Sequence, residues 1–99
     1  MKKTKAVPFR AHLFYTGRVQ GIGFRYTAEA LAISLDLLGW VKNISDGRVE
    51  IVCEGPKDKI EAFLEKIQKS HLGPHIKKKK IEWETPKNEF TEFSVEFCL

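Results

Sequence analysis

Apolar and polar residues alternate in four stretches of the chain, and apolar residues recur every three or four positions in two others. From Arg10 to Tyr15 the alternation predicts a strand whose inner side carries Leu13 and Tyr15, continued by Val19 after a break at Gly17. Phe24, Ala28, Leu31, Ala32 and Leu35 form one helical stripe, which predicts a helix from Phe24 to Leu35. It ends at Asp36, in a place glycine would fill at less cost, and Leu37 and Leu38 anchor the chain beyond. Gly39 to Asn43 reads as a second strand, turned by Ile44-Ser45-Asp46-Gly47. Arg48 to Glu54 returns as a third, with Val49, Ile51 and Cys53 inward and Arg48, Glu50 and Glu54 outward. Gly55-Pro56 opens a second helix with Ile60, Phe63, Leu64 and Ile67 as its buried stripe, and Gly73-Pro74 stops it. Ile76 to Trp83 is a basic strand or loop, and Phe93 to Cys98 is a last strand with Phe93, Val95 and Phe97 on one side.

The order is strand, helix, strand, strand, helix, strand, with the basic segment inserted before the last strand. Two split βαβ units of this kind build an α+β sandwich: an antiparallel sheet with two helices on one face, the first and third strands central.

The chain has 99 residues and 42% apolar content, enough for one domain with one core. Residues 1–9 are expected to form a flexible basic tail, and residues 10–99 the domain. No apolar run reaches membrane-spanning length, and the basic start is not followed by the apolar stretch of a secretory leader, so a cytoplasmic protein is expected. Cys53 and Cys98 are expected to be reduced structural thiols. The net charge of +4 favours anions without choosing among them. Lys77 to Lys80 reads as a solvated edge that discourages edge-to-edge pairing. His12, His71 and His75 lack metal spacing and read as structural or solvated; Trp40 reads as core.

Candidate chemistry concentrates in Gly17-Arg18-Val19-Gln20-Gly21-Ile22-Gly23-Phe24-Arg25, a strand-to-helix turn with three glycines. Such a turn presents several N–H groups to one point and leads into the positive end of a helix. Arg25 adds a planar cation suited to phosphate oxygens. The stretch has neither the Gly-Lys-Ser/Thr of a Walker loop nor the spacing of a dinucleotide fingerprint. The nearest functional side chain in a plausible sheet is Asn43, an amide that can orient a water but cannot act as a base. Gln20 can brace the loop through hydrogen bonds. Amides, one guanidinium and one carboxamide suit a substrate whose leaving group needs little protonation, such as an acyl phosphate.

Gly17-x-Val19-Gln20-Gly21-Ile22-Gly23-Phe24-Arg25, followed by Gly39-Trp40-Val41-Lys42-Asn43-x-x-Asp46-Gly47-x-Val49-Glu50, resembles both signatures of the acylphosphatase family. The resemblance covers about Arg10 to Gly73. It implies a ferredoxin-like βαββαβ fold and hydrolysis of the carboxyl–phosphate bond of acyl phosphates. It implies no metal or cofactor, inorganic phosphate as product or inhibitor, and a monomer with no nucleic-acid or membrane partner. By matching position, Arg25 binds the phosphate and Asn43 orients the attacking water. Arg18, Val19, Gln20, Gly21, Ile22, Gly23 and Phe24 form the cradle. Ile22 stands where valine is usual and Asp36 where glycine is usual. The alternative is a non-catalytic module of the same fold that binds phosphorylated ligands or RNA, motivated by the basic tail and Lys77 to Lys80.

Overall fold

The computed structural model describes residues 7–97. Its elements are β1 (Pro8–Gly17), α1 (Phe24–Ser34), β2 (Leu38–Asn43), β3 (Val49–Pro56), α2 (Lys57–Lys69), β4 (Ile76–Glu84) and β5 (Phe93–Glu96), with a single 3₁₀ turn at Gly73–His75 before β4. The strands lie in the order β4-β1-β3-β2-β5, so β1 and β3 are interior as expected. Both helices pack on one face, giving the ferredoxin-like α+β sandwich.

Four features differ from the sequence reading, the last being the place of Trp40. Pro8 and Phe9, assigned there to the tail, belong to β1 and pair with Pro56 and Gly55 of β3. Proline is tolerated at a strand's first position, where no ladder N–H is needed. Of the rest of the tail, Val7 is exposed, and residues 1–6, like Cys98, lie outside the described residues. Second, the lysine-rich segment is the strand that completes the second βαβ unit. It follows α2 through the 3₁₀ turn and pairs antiparallel with β1 from Arg10↔Glu84 to Gly17↔Ile76. The last strand is a fifth one, which joins the antiparallel frame parallel to β2. Third, Glu54 points away from the helices yet is only 4% exposed. The segment that carries the chain from β4 to β5 crosses over it. Glu54 accepts from the N–H groups of Lys87 and Asn88 at 2.8 and 3.1 Å and from Arg10 Nη1 at 2.8 Å. Burial opposes its charge, but these donors outweigh burial and hold its carboxyl below the ordinary value.

The core lies between sheet and helices. Ala11, Leu13, Tyr15, Val41, Val49, Ile51 and Cys53 face Phe24, Ala28, Ala32, Ile60, Phe63 and Ile67. Leu31 and Leu64 pack at its margin. Cys53 is a free buried thiol, pushed up to about 12 by burial, which keeps it protonated and unreactive. Trp40 is not core. It is half-buried on the open face, opposite Val52 of β3, with Lys42 Nζ 4.9 Å from its ring. Even positions of β2 and β3 alternate to that face, so a large apolar side chain there covers Val52 rather than the helices.

Candidate active site

β1 and β2 each pair antiparallel with β3, so they run parallel to one another and end on the same edge of the sheet. Gly17 and Asn43 therefore finish at the same end of the sheet, with β3 between their strands. α1 packs on β2 and β5, so the chain leaving β1 must cross that edge to begin the helix. The crossing segment is the glycine-rich turn. Gly21 and Gly23 hold left-handed backbone, φ 82° and 80°, and Gly23 is the N-cap of α1. A glycine N-cap has no side chain to bond the helix's first N–H groups, and α1 has no acidic residue in its first turn. The first backbone bond of the helix runs from Thr27 N–H to the Gly23 carbonyl at 3.0 Å. Among the described residues, no carbonyl or side chain accepts from the N–H groups of Val19 to Arg25. These donors remain available to a ligand at the positive end of the helix.

Val19, Gly21, Gly23, Phe24, Arg25, Tyr26 and Asn43 line one small cavity of about 100 Å³ at this edge. Arg25 and Asn43, expected to work together from sequence, are thus brought to one pocket. Asn43 Oδ1 is buried without a hydrogen-bond partner. A buried acceptor left open at a polar pocket is a place to hold a water or a ligand donor. Val19 and Phe24 are buried and contribute walls and backbone. Ile22 packs against the core, which explains why a β-branched residue of either size suits it. Gln20 does not line the pocket. Its Nε2 donates to the Ile44 carbonyl at 2.8 Å and to the Arg48 carbonyl at 3.0 Å, fastening the loop to the β2–β3 turn. Arg18 is exposed and faces a separate groove toward β4.

The sequence reading missed two aromatic neighbours of Arg25. Its guanidinium carbon lies 5.0 Å from the Phe97 ring centroid and 6.0 Å from that of Tyr26. Tyr26 could have been found, since it follows Arg25 in an exposed part of a helix that otherwise buries its aromatics. Nothing in the sequence brings Phe97 to this site; the position of β5 beside β2 does. Among the described residues, one group has metal-ligating geometry: His12 with Glu82 and Glu84. It sits on the open face of β1 and β4, and His12 is already bonded to Glu50 at 2.6 Å and Glu84 at 2.9 Å.

A cradle of unpaired amides at a helix N-terminus, flanked by a guanidinium and set on this sandwich, defines a class of small α+β proteins that bind tetrahedral anions. The chain belongs to the acylphosphatase family: the family model matches residues 11–95. It is 40% identical over 90 residues to the acylphosphatase of Syntrophotalea carbinolica, covering 91% of this chain and 98% of that one. To the acylphosphatase of Pyrobaculum islandicum it is 39% identical over 87 residues, covering 87% and 92%. The crystal structure of acylphosphatase from Bacillus subtilis superposes with a TM-score of 0.82 at 34% identity, over 89% of this chain and 98% of that one. Among the described residues, no helix is long and apolar enough to cross a membrane.

Proposed function

We propose that this acylphosphatase hydrolyses its substrate at the pocket between Arg25 and Asn43. The observation that carries the reading is one cavity lined by both side chains, ringed by unpaired loop amides and bordered by the open Oδ1 of Asn43. The phosphate group sits in the cradle made by Val19 to Phe24, its equatorial oxygens accepting from backbone N–H groups and from the Arg25 guanidinium, while Arg18, whose N–H is bonded to the His75 carbonyl, only leads into it. Asn43 Oδ1 accepts a hydrogen bond from a water and aims its oxygen at phosphorus. A P–O bond forms to that water while the P–O bond to the carboxylate leaving group breaks. The water's proton passes to a phosphate oxygen, and the carboxylate leaves unprotonated. The roles of Arg25 and the amides are greatest in the transition state, when charge spreads over the equatorial oxygens. The reading uses no metal or cofactor, and inorganic phosphate, the product, competes for the same cradle. A monomer acting in the cytoplasm fits it.

The open face favours no second reading as an RNA platform. Its central aromatic, Phe14, is covered by the Arg48 guanidinium at 4.5 Å, and Glu50, Glu82 and Glu84 interrupt its positive charge.

The test is turnover of benzoyl phosphate, with a phosphate monoester as control. Arg25→Gln is expected to lose about 3 kcal/mol of transition-state stabilisation, roughly a hundredfold in kcat/KM. Asn43→Ala is expected to lower kcat with KM nearly unchanged. Inorganic phosphate should inhibit competitively, and EDTA should change nothing. Full kcat in Asn43→Ala, or loss of activity in EDTA, overturns the assignment.

A further inference from the structure

His12 stands on the open face of the sheet, part-way along β1, whereas the phosphate pocket begins beyond the end of that strand. In the β1–β4 ladder His12 is opposite Glu82, and Arg10 is opposite Glu84. Alternate residues of a strand share a face, so one imidazole and two carboxylates from neighbouring strands project to the same side. One ligating atom from each of His12, Glu82 and Glu84 lies within 4.8 Å of the others. Four-coordinate zinc holds nitrogen and oxygen ligands at about 2.0–2.2 Å, which sets them roughly 3.3 Å apart. A small side-chain adjustment therefore closes the three groups on one ion. Glu82 is free to make it. Its side chain is 48% exposed, and its ion pair with Lys80 Nζ, at 3.3 Å, is exposed and weak.

The neighbours of these groups orient them as ligands. The two ring nitrogens of His12 face different carboxylates: Nδ1 is 2.9 Å from Glu84 Oε2, and Nε2 is 2.6 Å from Glu50 Oε2. A histidine that ligates a metal through one nitrogen commonly donates its other N–H to a carboxylate, which fixes the ring and raises its basicity. Glu50 reaches His12 from β3 and is placed for that role, leaving Nδ1 on the side of Glu84. Glu84 Oε1 accepts from Arg10 Nε at 3.0 Å, which leaves Oε2, the oxygen beside His12, for an ion. The Arg10 charge is shared with Glu54, whose Oε2 accepts from Nη1 at 2.8 Å. The charged groups around the imidazole are thus Glu50, Glu54, Glu82 and Glu84 against Arg10 and Lys80, an acidic island on a chain of net charge +4.

We propose that His12, Glu82 and Glu84 bind a divalent first-row transition metal such as Zn²⁺, with Glu50 positioning the imidazole, and that the ion ties the edge strand β4 to β1. An imidazole nitrogen beside carboxylate oxygens favours such an ion over Mg²⁺ or Ca²⁺, which take oxygen ligands. The ion replaces the proton between Nδ1 and Glu84, and that proton passes to solvent. His12 and Glu84 are 72 positions apart, so the chain carries no short metal spacing; the β1–β4 ladder creates it. The ion stabilises the sheet and takes no part in turnover.

The experiment titrates Zn²⁺ into EDTA-treated, desalted protein and follows binding by calorimetry. One ion per chain is expected, with Mg²⁺ bound at least tenfold more weakly. Zn²⁺ at about ten times its dissociation constant should raise the melting temperature by roughly 5 °C and leave turnover of benzoyl phosphate unchanged. His12→Gln and Glu82→Gln are each expected to weaken Zn²⁺ binding more than tenfold, and Glu50→Gln about tenfold. Glu82 is exposed, so its variant keeps the fold and tests the site even where His12→Gln is destabilised. His75→Asn removes a histidine outside the cluster and should bind as the wild type does. Wild-type affinity in Glu82→Gln, equal affinity for Mg²⁺, or loss of binding in His75→Asn overturns the assignment.

Discussion

The Arg25 guanidinium carbon stands 5.0 Å from the centre of the Phe97 ring, across the gap between the first turn of α1 and the end of β5. Arginine carries several rotatable bonds, and an anchor for phosphate is useful only if its fork is held in place. A ring face fixes the guanidinium plane without neutralising its charge. Phe97→Leu is expected to raise both the KM for benzoyl phosphate and the inhibition constant of inorganic phosphate about threefold, as an exposed cation–π contact of ~0.5–1 kcal/mol implies. Phe97→Tyr should restore wild-type values. Because Phe97 is 62% exposed, the melting temperature should hardly move. Unchanged constants in Phe97→Leu would show that the ring does not position Arg25.

His12 makes stability depend on pH from the open face of the sheet. Burial disfavours its cation, but hydrogen bonds to Glu50 and Glu84 outweigh burial and raise its value above the ordinary 6.5. Glu84 is lowered from 4.5, chiefly by its bond to His12; burial opposes the lowering, and the bond to Arg10 adds to it. Glu82 neighbours the cluster and is bonded to Lys80 at 3.3 Å. A raised imidazole stabilises the fold fully below 6.5, and the effect fades as pH rises through the folded value. The lowered carboxylate stabilises fully above 4.5, and its effect fades as pH falls through the folded value. The cluster is therefore most favourable between these limits. His12→Gln is expected to cost more stability at about pH 5.5 than at about pH 8.5, measured as urea midpoints. An equal cost at both would mean that the charge on His12 contributes nothing.

Asp36 ends α1 in left-handed backbone, φ 57°. Its N–H donates to the Ile33 carbonyl at 3.0 Å, and Leu37 N–H donates to the Ala32 carbonyl at 2.9 Å, the two bonds of a Schellman motif. Glycine takes that position without strain, and an aspartate at a helix C-terminus faces the negative end of the dipole. Asp36→Gly is expected to stabilise the protein by about 1 kcal/mol, a rise in melting temperature of roughly 4–8 °C for a domain of this size. Activity on benzoyl phosphate should be unchanged, since Asp36 lies away from the pocket.

Most of this architecture can be read along the chain because its signals are local. The period of α1, the Asp-Gly turn and the alternation of β3 are set by neighbours a few residues apart. The glycines and Arg25 mark a candidate anion cradle because one short segment supplies the amides, the helix end and the cation. Gln20 as a brace is legible for the same reason: a polar side chain in a tight loop has only nearby carbonyls to bond.

What the chain alone decided was which segments could become strands and helices, and which of them had the residues for phosphate chemistry. What only the tertiary structure decided was which strand lay beside which. Ile76–Glu84 and Phe93–Glu96 both follow α2, and strand propensity does not say which takes the free edge of β1. Long-range hydrogen bonding settled it, through the ladder from Arg10 to Gly17 and through Glu54 gripping the crossing segment. That choice set Phe97 against Arg25 and Lys77 beside Arg18. The reason is physical: side-chain periodicity reports a face, while the partner across a sheet is fixed by backbone groups that are the same in every residue.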